Sequence, residues 1–493
     1  MRASRLLFLL VFLIAPQASA QEAETVREVQ VLHADSLVGR VVDGRSVRTL
    51  FGNVRLRQGE TDLRSDRATQ FLDAGEIHFV GRVEIAERGD SLRADTVYYN
   101  TRTKVGRAIG SVWLTDGDVV VMAPSGNYDT RSKHAVFTDG VTLVDSASTL
   151  RSSTGEYWSD ERRAEFAGSV RLDEDRSITL ADSITYLRDD EFSIARGDVA
   201  ILHLDEDDDG SSTDRTYLFG AHAEHHNQTR FSRIRGDPLL MRVEADSLGE
   251  PSDTMLVRAE TLLSARSDSL DRLTAVSGVR IWQRRLAAVG DSLVFDRHLN
   301  EEGEASLDEA RLFGIPVAWV DAMQLNGDTL RVIGRGGSID SLYANSRSFV
   351  ARFDSTLQRI HQVKGRDLAA AFVEDTIRTM RTWPNAEAIY FLHDEDDGLR
   401  GAVRGSGDEI VFRFSAGELH RVSILSGTEG EYFEAEDIPE PLELEGYRWE
   451  PEIRPEKDLL LGGVVPQERF GQLPPPAPVT AREQAQPPVD QID

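Results

Sequence analysis

The chain has 493 residues, a formal net charge of −28, no cysteine and only four lysines, Lys104, Lys133, Lys364 and Lys457. So acidic a surface repels nucleic acid and anionic membrane. The lack of cysteine excludes a disulfide framework, thiol catalysis and lipoprotein acylation.

In chain order, residues 1–20 read as a cleaved signal peptide: Arg2 and Arg5, an apolar run from Leu6 to Ile14, and Ala18-Ser19-Ala20 before Gln21. The run is too short to span a bilayer. Its removal takes the charge from −28 to −30, because Arg2 and Arg5 are its only charges. The mature chain is therefore expected in an exported space. Val29-Gln30-Val31-Leu32 reads as a short alternating strand without proline or lysine, the N-terminal edge of whatever sheet follows. Val29 and Val31 are its candidate partner-binding residues.

From there a 29-residue repeat dominates. Valine recurs at Val54, Val83, Val112, Val141, Val170 and Val199. Two residues earlier stand Gly52, Gly81, Gly110, Asp139, Gly168 and Gly197, and two later Leu56, Ile85, Leu114, Leu143, Leu172 and Ile201. Before the glycine column come Leu50, Phe79, Ala108, Phe137, Phe166 and Ala195. Residues between these columns are mostly polar, so the pattern is a strand with one buried face and one wet face. A second strand precedes each of these, with Leu63, Leu92, Val121 and Leu150 and a departure at Thr179, then Ser65, Ala94, Ala123, Ser152 and Ala181, then Tyr99, Tyr128, Tyr157 and Tyr186 with Gln70 in the first copy. Asp73-Ala74-Gly75 and Asn127-Tyr128-Asp129 supply turn chemistry. Each copy is expected to hold two strands, with the valine column buried. Periodicity alone leaves two shapes open, a filled solenoid or two sheets joined along one side and gaping along the other. The repeated glycine fits either a hollow interior or a bent strand.

This regular domain is assigned to 21–204, followed by an acidic loop at 205–215. Residues 216–435 continue as a less regular β-repeat or a second domain of the same kind. There Gly290-Asp291-Ser292-Leu293, Gly327-Asp328-Thr329-Leu330 and Gly407-Asp408-Glu409-Ile410 resemble Ala94-Asp95-Thr96-Val97 at variable spacing. Residues 436–473 read as a proline-rich extended segment anchored by Tyr447 and Trp449, and 474–493 as a disordered tail. His222, Glu224 and His226 would share a strand face and are a weak candidate metal site, set against an ordinary histidine-rich surface strand. No metal, cofactor or catalytic residue is otherwise indicated: there is no HExxH, P-loop or G-x-S-x-G motif.

Units such as Ser91-Leu92-Arg93-Ala94-Asp95-Thr96-Val97-Tyr98-Tyr99 followed by Ala108-Ile109-Gly110-Ser111-Val112-Trp113-Leu114 resemble the OstA-like family. That family includes the periplasmic lipopolysaccharide-transport protein LptA and the periplasmic N-terminal part of the outer-membrane translocon LptD. The resemblance covers residues 26–201 well and the later half loosely. The length, with Gly365-Arg366-Asp367-Leu368 and Gly446-Tyr447-Arg448-Trp449, looks most like the long OstA-like proteins of the Bacteroidetes lineage. It implies an all-β, elongated, open β-jellyroll built from the 29-residue two-strand repeats, in the periplasm and associated with the outer membrane. Its apolar groove would carry lipopolysaccharide or a related lipid, lined by Phe79, Phe137, Phe166 and the valine and leucine/isoleucine columns. Other OstA-like or Lpt components, or a second copy, would join by edge-strand pairing, and Arg64, Arg93 and Arg151 would meet phosphates or simply be exposed strand arginines. No enzymatic activity and no nucleic-acid partner are expected. The alternatives are a structural or adhesive β-solenoid of the envelope and a polysaccharide-acting enzyme. The enzyme would need outward carboxylates and aromatics, and Trp113 is the only large aromatic in its outward column.

Overall fold

The computed structural model describes residues 29–470 apart from residues 59, 88–89, 116, 118, 130, 159, 188, 207–212, 246–250, 301–304, 336–337, 375, 395, 397 and 416–417. The segments expected to be a signal peptide and a disordered tail, and the centre of the expected acidic loop, lie outside the described residues. On either side of that loop, strands run to Glu206 and from Thr213. The described chain is all-β but for a few short turns of helix, among them Lys457–Leu461 and Pro466–Phe470. It divides into two units, residues 29–203 and residues 204–470.

In the first unit, each 29-residue copy supplies two long strands, for example Glu76–Glu87 with Asp90–Asn100, then Val105–Thr115 with Val120–Asp129. Each strand pairs antiparallel with the one before and the one after. Hairpin turns close with side-chain caps. Asn100 Oδ1 accepts from the backbone N–H of Arg102 and Thr103, and Asp129 Oδ1 from Arg131 and Ser132. Asn127 and Tyr128, which had the look of a turn, are the end of a strand.

The glycine column bends the strands. Gly81 and Arg82 both adopt positive φ (82° and 43°), and the register jumps from Val80 opposite Thr96 to Val83 opposite Ala94. Two residues thus face Asp95 alone, a bulge that turns the strand. The same pair recurs at Gly52/Asn53, Gly110/Ser111, Asp139/Gly140, Gly168/Ser169 and Gly197/Asp198. At Gly81 and Gly110 glycine is favoured twice over, by the positive φ and by the close approach of an aspartate. A Cβ at Gly81 would stand 2.4 Å from Asp66 Oδ2, and one at Gly110 2.1 Å from Asp95 Oδ2. Asp66 also receives the Arg82 guanidinium at 2.6 Å. The glycines therefore mark corners, and the idea that they hollow the interior falls away.

The corners fold the sheet. Alternate residues on both sides of each corner are buried on the same face, and Leu50, Val54, Leu56, Ala68, Phe79, Val83, Ala94 and Val97 belong to one apolar cluster. No helix is available in these residues to cover that face. The two half-sheets must cover each other.

The second unit uses the same corner at wider spacing. Positive-φ pairs fall at Gly236/Asp237, Ser277/Gly278, Gly314/Ile315, Ser346/Arg347 and Ser426/Gly427. Asp291 lies against Gly314, Asp328 accepts from Arg347 at 2.5 Å, and the Asp408 N–H bonds Ser426 O at 2.8 Å. One core cluster joins Val257, Ile281, Val350 and Val363 of one half-sheet to Leu293, Leu330, Leu368 and Ile410 of the other. Residues 436–470 pack on this unit as a strap, with Tyr447 against Phe349 and Trp449 against Phe353; it is not extended throughout, since short helices form at Pro451–Ile453, Lys457–Leu461 and Pro466–Phe470.

Candidate functional site

The register of the first unit arranges its interior as four rows running from strand to strand. Nearest the corner on one side, each valine faces a small residue: Val54–Ser65, Val83–Ala94, Val112–Ala123, Val141–Ser152 and Val170–Ala181. Nearest the corner on the other side run Leu50, Ala68, Phe79, Val97, Ala108, Gly126, Phe137, Gly155, Phe166, Ile184 and Ala195. Phe137 and Phe166 fill the space left by glycine: a Cβ at Gly126 would be 2.9 Å from the Phe137 ring, and one at Gly155 3.2 Å from Phe166. Large against small at facing positions gives a packed interior there.

Farther from the corners lie the two lips. One is aliphatic: Leu56, Leu63, Ile85, Leu92, Leu114, Val121, Leu143, Leu150, Leu172, Thr179 and Ile201 in continuous register. The other alternates tyrosine with small residues: Ile77, Tyr99, Gly106, Tyr128, Ala135, Tyr157, Ala164, Tyr186 and Ser193. The tyrosines were visible in the sequence, but their partners Gly106, Ala135, Ala164 and Ser193 were missed, although they too recur every 29 residues.

Burial grades from corner to lip. Val54, Val83, Val112, Val141, Val170 and Val199 are at most 3% exposed, and Phe79, Phe137 and Phe166 are also buried. Leu63, Ile85, Leu92, Leu172 and Ile201 are half-buried, as are Tyr99, Tyr128 and Tyr186. In the middle copies the aliphatic lip closes over, with Leu114, Val119 and Leu143 all buried. Leu56 is buried as well.

Arg64 and Arg93 flank Glu84 on the outward face, at 3.6 and 3.5 Å, and Arg151 pairs with Asp173 at 3.1 Å. They are ion-pair rungs between neighbouring strands, away from the interior. Arg93 also lies 5.1 Å from the Trp113 ring. His222 and Glu224 bond at 2.9 Å, and Glu224 receives Arg235 at 2.7 Å. Burial pushes the Glu224 carboxyl up, but the His222 hydrogen bond and the charges of Arg235 and of Arg233 at 3.5 Å hold it below its ordinary range. No group of three or more His, Cys, Asp or Glu arranged for a metal ion occurs among the described residues.

One further titratable cluster lies in the second unit. His361 is buried, takes the Phe391 N–H on Nδ1 and stacks on Tyr390. Its Nε2 therefore carries the proton and faces Asp354 at 3.3 Å. Burial holds His361 down at about 4. Burial would raise Asp354, but the backbone N–H of Leu357, His393 at 2.8 Å and the N–H of Thr356 hold it at about 2. With both ring nitrogens engaged, the histidine ties strands together.

Residues 29–33 form the expected edge: Gln30–His33 and Ser36–Val42 both pair with Arg45–Gln58. Val31 is 53% exposed and Val29, Leu32, Leu37, Val41 and Val42 are exposed as well.

No helix among the described residues is long and apolar enough to cross a membrane. A search of curated proteins found no match to the chain. Among solved structures that match is LptH, described as the LptA homologous periplasmic component of the lipopolysaccharide transport device of Pseudomonas aeruginosa. It is 19% identical over 22% of this chain and 80% of that one, with a TM-score of 0.20. The sequence model of the family described as OstA-like protein matches residues 26–182. Over those residues, less than half of the chain, the sequence is similar to the OstA-like family.

Proposed function

We propose that the first unit carries an acylated lipid along its interior, in the periplasm, as a step in moving lipopolysaccharide or a related lipid toward the outer membrane. One observation carries the reading: an aliphatic row along one lip, in register from Leu56 to Ile201 and interrupted only by Thr179, half-buried over much of its length. A lipid needs such a surface because each CH₂ left in water costs roughly 0.8 kcal/mol. Acyl chains lie against Leu63, Ile85, Leu92 and Leu172, and the tyrosine lip, apolar in its rings and polar at its hydroxyls, faces the boundary with the headgroup. The lips part over Leu114 and Leu143 for a chain to pass. No reaction is assigned, and direction comes from energy supplied elsewhere.

The exposed edge at Val29 and Val31 docks by strand addition to a second copy or to another β-repeat protein of the same transport route. A second reading, a structural envelope protein with a filled interior, is favoured by the closed corner rows, above all Phe137 and Phe166 seated over Gly126 and Gly155. Purification from the native envelope fraction followed by mass spectrometry separates the two. Stoichiometric acylated lipid supports the carrier, and lipid-free protein supports the filled body.

A further inference from the structure

The outward face of one half-sheet in the second unit is itself covered. Its residues, in register from strand to strand, include Leu239, Leu256, Ala287, Trp319, Phe349 and Ile389. The C-terminal strap runs back across them. Two buried glutamines hold its main chain in the same way. Gln324, 0% exposed, donates from Nε2 to Arg448 O at 2.9 Å and accepts the Glu450 N–H at 2.8 Å. Gln362, 3% exposed, donates to Leu442 O at 3.2 Å and accepts the Leu444 N–H at 2.8 Å. A carboxamide bonded twice in this way stands in for the peptide group of a neighbouring strand, and reads backbone whatever the side chains. Aromatic contacts add side-chain selection: Tyr447 on Phe349, Trp449 on Phe353 and Phe470 on Tyr217. Arg258 donates to Leu460 O, and Arg454 to Asp321 O at 3.0 Å. Between these anchors the strap stands off the sheet, leaving a cavity of about 420 Å³ between Val279, Arg280 and Val289 below and Ile453, Pro455 and Leu459 above.

Anchors that read backbone, separated by an unfilled gap, describe a docked peptide better than a core strand. We infer that this face is a receptor for a peptide segment with aromatic residues two apart, and that residues 438–470 are its resident, exchangeable occupant. The partner it fits is the same segment of a second copy. The inference is independent of lipid carriage.

The test uses the full chain with a protease site inserted between Glu436 and Asp437, in the exposed turn Ala435–Asp437. After native cleavage, a labelled synthetic peptide of residues 438–470 is added. It should displace the cleaved strap and bind saturably. Gln324→Ala and Gln362→Ala should each weaken binding about tenfold, the scale of two neutral hydrogen bonds. A peptide carrying Tyr447→Ala and Trp449→Ala should bind at least about tenfold more weakly, with the receptor unaltered. A strap that stays without exchanging, a unit that unfolds when it leaves, or binding indifferent to both glutamines and both aromatics overturns the inference.

Discussion

Val83 and Ile85 sit two residues apart on one strand and one face, yet a charge at each should act differently. Val83 is 1% exposed against Ala94, while Ile85 is half-buried at the lip. A glutamate at Val83 would have to stay protonated: raising its pKa by roughly three units at ~1.36 kcal/mol each costs about 4 kcal/mol at neutral pH. Its extra volume in a packed row adds roughly 1–3 kcal/mol. That is a large share of the ~5–15 kcal/mol that holds a domain together. A glutamate at Ile85 reaches water and forfeits about half the burial of an isoleucine, roughly 1 kcal/mol. Urea denaturation followed by tryptophan fluorescence should therefore show Val83→Glu grossly destabilised and Ile85→Glu nearly native. Folded Ile85→Glu should nonetheless lose bound lipid, because the charge stands in the acyl path. Equal destabilisation would refute the gradation from corner to lip, and undiminished lipid in Ile85→Glu would refute the role of the lip.

Other consequences follow from the corners, the edge and the buried histidine. Gly110→Ala should cost about 2–4 kcal/mol, from the left-handed backbone and displacement of Asp95, and adding Asp95→Gly should recover part of it in the same denaturation assay. Val31→Pro should leave thermal stability nearly unchanged but weaken self-association measured by light scattering and crosslinking, since it removes a ladder donor at the edge. His361, held at about 4 against an ordinary 6.5, stays neutral in the fold while the unfolded chain takes up a proton. Stability of the second unit should therefore fall as pH drops from about 6.5 to about 4, by roughly 3 kcal/mol in all, and His361→Gln should flatten that slope in pH-resolved melting curves. The contribution of Asp354 has the opposite placement: it is intact above about 3.8 and is lost only as pH falls toward 2.

The valine column and its two-residue alternation were legible because a strand's face is written directly in its sequence. The corner was only half legible. Glycine every 29 residues announces a backbone requirement, but whether it hollows or bends depends on Asp66 and Asp95, which lie on the preceding strand. The partnering of Tyr99 with Gly106 needed register, although the 29-residue recurrence of small residues was there to be read. In the second unit the corner survives while its spacing varies, so column arithmetic loses it and only the Gly-Asp pairs at 290–291, 327–328 and 407–408 betray it. Tyr447 and Trp449 marked the strap as anchored. Gln324 and Gln362 carried no sequence signal, because an isolated glutamine on a strand looks like any outward polar residue until something lies across it.

Site-specific photocrosslinking in the native cell tests lipid carriage most directly. A photoreactive side chain is placed at Leu92, on the aliphatic lip, and at its neighbour Arg93, on the outward face beside Glu84. Lipid adducts at position 92 and none at 93 are expected if acyl chains travel along the lip. Adducts at neither position, or at both alike, would contradict it.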